Sequence, residues 1–454
     1  MNHSPDAGRE MTCLTAVDAA ERIRSGSLKS EDLVSDCLQR IEATDCDLGA
    51  WVHLNAEDAL NQAREMDRLR WFGRPVGSLH GVPIGIKDII DTGGIPTERG
   101  TKAYAGRVPR RDAFIIDRLR DAGAVILGKT VTTEMAFMCA ADTRNPHDRT
   151  RTPGGSSSGS AAAVAAAQVP LAIGTQTNGS VIRPAAFCGV FGFKPSRGAV
   201  SRTGVLRTSE SLDQVGVFAR SLEDVAALAD AIAGRDSTDA GTHSRPRPRY
   251  LDGCRSEAPI EPTIAWMQEF QRDRLADDAR QGMEDVAALL GPHVERIPLP
   301  PGFMRLMETH RVVQDYEIGR NLKRLAADKG ALLSRQLRAT IDRGQAIGRK
   351  EYRRALEGKA AAERYFEKFF YDYDAILAPS ALGEAPPFES GTGDPCCCTA
   401  WTLCGLPTLS LPILTGAGGL PVGVQLIGGP DEDDRLLRTA NWILRRLVAE
   451  SGSA

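Results

Sequence analysis

Histidine is scarce in this 454-residue chain: there are seven, and none sits in a Ser/His/Asp signature. His80, His147 and His310 stand isolated and read as structural or surface residues. No His-Glu-x-x-His pattern occurs, so zinc-assisted hydrolysis has no support. The ten cysteines include no CxxC pair. Cys396-Cys397-Cys398, with Cys404 beyond, has no neighbouring histidine, and adjacent side chains diverge. Small apolar loop residues are expected there, not metal ligands. No window reaches the run of about 18 apolar residues that spans a bilayer. The start, Met1 to Met11, is polar and has no signal-peptide core. Reduced thiols and a cytoplasmic setting are expected. Charge is balanced as well: 56 Lys+Arg against 59 Asp+Glu leave −3, which gives no case for nucleic acid or an anionic membrane.

What is present fits an ordinary globular protein with ample core, at 42% hydrophobic and 25% charged residues. Length alone allows several domains or one large α/β domain, and no internal repeat is visible. The first 70 residues read as helices. Ser30-Glu31-Asp32 suggests a capped, acidic first turn, and Leu33, Val34, Cys37, Leu38 and Ile41 form a stripe behind it. From about Gly77, short β-like runs alternate with helices. Gly81–Ile90 and Ala124–Leu127 read as strands, with an amphipathic helix over Phe114–Ala122 between them. This alternation predicts a layered α/β core. Residues 77–233 would form the catalytic core. A polar stretch, 234–262, begins the clearest loop. Thr263–Trp266 resumes as a strand, and 305–372 reads as long charged helices, a surface layer or a cover over a site, striped by Ile318, Leu322 and Leu325 and by Leu333 and Leu337. Strand signals return at Ala375–Leu377 and Val422–Ile427. The whole chain, 1–454, is therefore read as one domain.

Three segments carry the chemistry. Lys87 stands in an apolar run with Val82, Ile84, Ile86, Ile89 and Ile90. A buried amine loses its charge readily and can then act as a base; the plainer alternative is a strand-end lysine that reaches solvent or pairs with Asp88. Gly154-Gly155-Ser156-Ser157-Ser158-Gly159-Ser160 leads into an alanine-rich helix, so hydroxyls and N–H groups converge at a helix start. No Gly-Lys-Ser/Thr follows it, so a phosphate loop fails there. Thr177-Asn178-Gly179-Ser180 offers small residues before a serine, the setting for a turn with exposed N–H groups that could bind an oxyanion. Alone, each piece is also a plain loop.

Together they resemble the amidase signature family. The likeness runs through Gly81–Asp88, Pro153–Ser157, Gly179-Ser180, Cys188-Gly189 and Phe193–Ser196. It continues at Trp401-Thr402, Gly405–Pro407 and Leu420–Gln425, and is weakest over 234–370. The resemblance implies an α/β/α domain around a large mixed sheet and a Ser–cis-Ser–Lys triad. Ser180 would be the nucleophile, Ser156 the bridging serine and Lys87 the base, with Thr177, Asn178, Gly179 and Ser180 forming the oxyanion hole. Ser157 is the rival to Ser156. The chain departs from the common pattern at Ser158, usually glycine, and at Gln176 and Asn178, which replace Asp and Gly. Arg183 comes three residues after Ser180 instead of two. That form is similar to the malonamidase-like and small-amidase branch, where such an arginine holds a substrate carboxylate. Arg183 is thus a candidate anion clamp, with a structural salt bridge as the alternative.

The leading expectation is a serine hydrolase of small or aryl amides, with esters and carbamates within the same chemistry. Met135, Phe137 and Met138, with the Cys396–Trp401 loop, would line an apolar pocket, so Met135, Phe137 and Trp401 are candidate substrate contacts. No cofactor or metal is implied, and a monomer or homodimer acting on a small molecule is expected. The alternative is the amidotransferase subunit that forms glutaminyl-tRNA inside a complex. The changes around Gln176 and Arg183 argue against it, as does the absence of a basic surface signal. A non-catalytic protein on the same fold conflicts with retention of Lys87, Ser156 and Ser180.

Overall fold

The computed structural model describes residues 11–451 apart from Pro75, His243, Arg245 and Arg247. Expectations for the first ten residues, and for those three points of the 234–262 stretch, fall outside what is described. An eleven-stranded mixed sheet organises the chain. Its strands are β1 (Trp51–Leu54), β2 (Pro83–Lys87), β3 (Val125–Thr130), β4 (Leu171–Gln176), β5 (Phe191–Lys194) and β6 (Gln214–Ala219). They continue with β7 (Ile264–Trp266), β8 (Val294–Arg296), β9 (Ala375–Pro379), β10 (Thr408–Thr415) and β11 (Pro421–Ile427). Their order is β1-β3-β2-β4-β6-β5-β10-β11-β9-β7-β8, so strands from both sides of the polar stretch share one sheet.

At the centre, β2 runs parallel to both β3 and β4, whereas β6 runs antiparallel to β4 and β5. Every residue of β2, β3, β4, β6 and β9 is buried, which requires cover on both faces. Part of that cover is the helix Ser158–Ala165, whose largest side chain is Val164. Its small residues let it lie against the sheet. A Cβ on Gly159 would come 2.2 Å from the carbonyl oxygen of Ala50, and its N–H donates to Val131 O at 3.0 Å. Only glycine fits there.

Local expectations meet the structure unevenly. The helix Ser30–Leu48 forms, but its first N–H groups are not capped by its own first residue. Asp67 accepts from Ser30 N at 2.9 Å and Glu31 N at 3.1 Å, while Ser30 Oγ donates to Gly81 O. The N-terminal part also contains β1, which the helical reading passed over. Within the polar stretch a short helix forms over Tyr250–Arg255. The covering helices appear as Arg305–Asn321, Lys323–Lys329, Arg335–Ala346 and Arg349–Phe369. Among the described residues, no helix is long and apolar enough to cross a membrane.

Candidate active site

Lys87 ends β2 and is wholly enclosed. Its Nζ lies 2.8 Å from Ser156 Oγ, 2.9 Å from Thr175 Oγ1 and 3.0 Å from Ser157 Oγ. All three neighbours are neutral hydroxyls. Burial pushes the ammonium well below its usual pKa, and the charge of Asp213 only partly opposes this. Asp88 is not its partner: that carboxylate accepts from Glu98 N and interacts with the charge of Lys129 instead. The amine therefore sits where a lone pair, rather than a third proton, is favoured.

Ser156 follows Gly155 through a cis peptide bond. Ser157, the rival, has its proton committed: its Oγ donates to Thr175 O at 3.2 Å while accepting from Lys87. Ser156 has no such competing acceptor among the described residues, so its hydroxyl is the one free to give a proton to Lys87. Ser158 Oγ donates to Gly154 O at 2.9 Å and braces the loop.

The segment Thr177–Ser180 leaves the end of β4 as an irregular turn. The carbonyls and side chains of Thr177 and Asn178 are each held by a neighbouring residue. His310 Nε2 meets Thr177 O at 2.9 Å, and since a carbonyl only accepts, the proton is on that nitrogen. Thr177 Oγ1 donates to Asp213 Oδ1 at 2.5 Å. Thr402 Oγ1 donates to Asn178 O at 2.5 Å, and Thr399 Oγ1 to Asn178 Oδ1 at 2.7 Å. Among the described residues no acceptor takes the N–H of Asn178, Gly179 or Ser180. Uncommitted N–H groups in a turn beside a nearly buried serine can bind a developing oxyanion. Gly179 packs closely here: a Cβ on it would meet Pro395 Cβ at 3.0 Å and Cys398 Sγ at 3.3 Å. Cys396, Cys397 and Cys398 thus form a buried wall with Ile182 beside this turn, and their thiols are free.

The sequence departures have structural partners. Gln176 Oε1 accepts from Val181 N at 2.8 Å and Ile182 N at 3.1 Å, satisfying the start of the helix Ile182–Cys188. Its Nε2 donates to Thr402 Oγ1 at 2.9 Å. Arg183, 2% exposed, donates from Nη2 to Gly155 O at 2.8 Å and to Thr392 Oγ1 at 3.1 Å. Its Nε and Nη1 are buried without a hydrogen-bond partner. Among the described residues it forms no salt bridge, so the structural alternative takes another form, a bond to the peptide before Ser156.

The expected substrate contacts separate. Met135 is buried at a positive φ of 50° in the loop after β3, and Phe137 beside it is half-buried. Thr133 N in this loop donates to Ser156 O at 3.2 Å, which places the loop next to the serine pair. Trp401 does not join them. It is 1% exposed and packs in an aromatic core, with ring centroids 5.4 Å from Phe303 and 5.6 Å from Phe270 and Phe366. Its bulk belongs to the layer behind the site, and its neighbour Thr402 faces the turn. A cavity of about 10 Å³, room for roughly one water, adjoins Ala136, Thr175, Thr177 and Asp213. A larger cleft of about 600 Å³, lined by Phe187, Arg274, Leu382 and Asp394, includes none of Lys87, Ser156 or Ser180.

Sequence reasoning missed Thr175, Asp213, His310, Thr399 and Thr402. They come from four separate segments; Thr402 lies in the Trp401-Thr402 motif but drew no role from it, and no local pattern marks the others. It also left unremarked that Gly123–Thr130 has phosphate-loop spacing. The structure disposes of that motif: Val125–Thr130 is buried strand, and Lys129 Nζ donates to Thr97 Oγ1 at 2.8 Å and Thr92 Oγ1 at 3.2 Å. No loop is present there to cradle a phosphate.

A hydroxyl-bound buried lysine, a serine on a cis peptide and a turn of free N–H groups are parts that histidine-free acyl transfer can use. The Amidase family model matches residues 32–437. The A subunit of glutamyl-tRNA(Gln) amidotransferase from Chloroflexus aurantiacus is 35% identical, covering 95% of this chain and 96% of that protein. The same-named protein of Streptomyces avermitilis is 34% identical, with 97% and 96% covered. Among solved structures, native peptide amidase from Stenotrophomonas maltophilia superposes with a TM-score of 0.81 at 33% identity, covering 96% of this chain and 97% of that one. A chain from a vestigial protein complex, studied for the evolutionary origins of an s-triazine catabolic enzyme, reaches a TM-score of 0.90 at 28% identity, with 96% and 98% covered. The protein is thus of the class of enzymes that act on carbon–nitrogen bonds. It belongs to the amidase family, the amidase signature enzymes.

Proposed function

We propose that Ser180 is an acylating nucleophile, Ser156 its proton relay and Lys87 the final base. The observation that carries this reading is the 2.8 Å contact between a fully buried Lys87 Nζ and Ser156 Oγ. As Ser180 Oγ attacks an amide carbonyl, its proton passes to Ser156 and that of Ser156 to neutral Lys87. The N–H groups of the Thr177–Ser180 turn receive the oxyanion. The relay then returns a proton to the nitrogen as the C–N bond breaks, and the acyl group is passed to water by the reverse path. Met135 and Phe137 would contact the acyl or aryl part of the substrate. Arg183, with Nε and Nη1 uncommitted, is the candidate for a substrate carboxylate.

Two settings for this chemistry differ in partner and substrate. The sequence alone puts a stand-alone hydrolase first and a component of an amidotransferase complex second. The full-length likeness to proteins named as the A subunit of glutamyl-tRNA(Gln) amidotransferase favours the reverse order, with ammonia released from a primary amide such as glutamine inside a complex. The stand-alone reading keeps its support in the likeness to peptide amidase, and extends to carbamates. The test is a panel of glutamine, aliphatic amides, anilides, malonamate-like acids and aryl carbamates given to the purified chain, with fluorophosphonate labelling of Ser180. Labelling with turnover of amides by the chain alone supports the hydrolase. Labelling with glutaminase activity only in company of partner proteins supports the amidotransferase setting. Full turnover by Ser180→Ala would overturn the mechanism in either setting.

A further inference from the structure

The Thr177–Ser180 turn can present N–H groups to an oxyanion only if its peptide planes keep one orientation. In a planar trans peptide, the C=O of one residue and the N–H of the next point in opposite directions. Whatever holds the carbonyl of Thr177 therefore aims the N–H of Asn178. Whatever holds the carbonyl of Asn178 aims the N–H of Gly179. An isolated turn with a glycine at its third position could flip these planes at little cost.

Two side chains from distant elements hold these carbonyls. His310, on the helix Arg305–Asn321, is 1% exposed and donates Nε2–H to Thr177 O at 2.9 Å. Thr402, on the helix Thr399–Leu403, is fully buried and donates to Asn178 O at 2.5 Å. The direction of the second bond is determined by its surroundings. Gln176 Oε1 accepts two backbone N–H groups, so its Nε2 must be the donor to Thr402 Oγ1, and the threonine proton is left for Asn178 O. Neither residue hydrogen-bonds Lys87, Ser156 or Ser180 among the described residues; each meets the turn at a carbonyl, on the side of the peptide opposite the N–H it would aim. We propose that His310 and Thr402 are positioning residues that set the oxyanion hole by fixing the peptide planes after Thr177 and Asn178. The inference rests on the assignment of Ser180 as nucleophile. It makes the covering helices part of the catalytic apparatus: a shift of Arg305–Asn321 would misdirect an N–H group as surely as a change in the turn itself.

The experiment compares His310→Leu with His310→Gln, which keeps a donor, and Thr402→Val with Thr402→Ser, which keeps the hydroxyl. Turnover of the best amide from the panel is measured with the affinity of an aryl trifluoromethyl ketone, which adds to a nucleophilic serine as a tetrahedral oxyanion. Removing an oxyanion donor outright costs about 10²–10³ in kcat, so misaiming one is expected to cost about 10–100-fold. His310→Leu and Thr402→Val should lose that factor in kcat with KM within about threefold, and ketone affinity should fall in parallel. His310→Gln and Thr402→Ser should recover most of both. The proposal is overturned if the apolar variants keep kcat and ketone affinity, if the loss lies in KM alone, or if the conservative variants fare no better. Fluorophosphonate labelling of the wild type separates the two failures. If Ser180 is unlabelled and the ketone does not bind, the nucleophile assignment falls and takes this inference with it. If Ser180 is labelled at equal rates in wild type, His310→Leu and Thr402→Val, the positioning roles alone fall.

Discussion

Arg183 reaches 28 residues back along the chain to hold the carbonyl of Gly155 at 2.8 Å. The two serine segments are thereby joined behind the site, because Gly155 precedes Ser156 and Arg183 follows Ser180 in the next helix. This contact gives the arginine a duty independent of substrate charge. Arg183→Met is expected to lower kcat on neutral anilides by roughly tenfold or more, since a buried charge-assisted hydrogen bond is lost. A further loss confined to carboxylate-bearing substrates would report the clamp formed by Nε and Nη1. Equal losses on charged and uncharged substrates, measured as kcat/KM, would leave only the structural contact.

Ser156 and Ser157 both touch Lys87, but only Ser157 has its proton engaged elsewhere, on Thr175 O. Ser156→Ala should therefore lose at least about 10³-fold in turnover, as expected for breaking a proton relay. Ser157→Ala should keep turnover within about tenfold and lose about 1–2 kcal/mol of stability through its missing hydrogen bonds. Steady-state rates with urea melts on both variants check this, and the opposite ranking would make Ser157 the relay.

The proposed triad could be picked out in the sequence because Lys87, Ser156 and Ser180 lie in short segments where composition is unusual: a lysine among isoleucines, and serines among glycines. Strands with a dense apolar run, such as β2 and β11, were legible for the same reason. What supports the site was not. His310 and Thr402 act through single hydrogen bonds across 133 and 224 positions, and such pairings leave no periodicity to read. The cap on Ser30–Leu48 shows the same limit, because Asp67 supplies it from another helix. Trp401 illustrates the converse. Its place in a recognisable motif suggested a pocket wall, while the packing of Phe270, Phe303 and Phe366 around it makes it core. Local chemistry is readable from local sequence, but the direction in which a side chain points depends on elements that sequence does not bring together.

Gly174 in β4 lies against the lysine cradle. A Cβ at this position would stand 2.5 Å from Ser157 Oγ and 2.7 Å from the Phe218 ring, both in a packed interior. Gly174→Ala is expected to destabilise the fold by about 1–3 kcal/mol through overpacking. It should also lower kcat, because Ser157 cannot retreat without disturbing Lys87 Nζ. Thermal melts and turnover at a temperature where both proteins are folded separate the two effects. A variant as stable and as active as wild type would show that the cradle is more yielding than its contacts imply.

His310 should also leave a mark on acid stability. Burial pushes its imidazole down to about 4, against its bond to Thr177 O and the opposing field of Glu317. Because the folded state resists protonation, the unfolded chain binds the extra proton between about pH 6.5 and pH 4, and stability falls as pH drops through that window. A shift of this size corresponds to at most about 3 kcal/mol, present above the window and lost across it. His310→Gln has no group that titrates there, so its urea midpoint should change less than that of wild type between pH 7 and pH 4.5. A parallel decline in both proteins would mean that His310 is protonated in the folded state near its ordinary pKa. The neutral Nε2–H donor assigned to the Thr177 carbonyl would then be an imidazolium. Its hydrogen bond would survive, but a positive charge would lie behind the oxyanion turn.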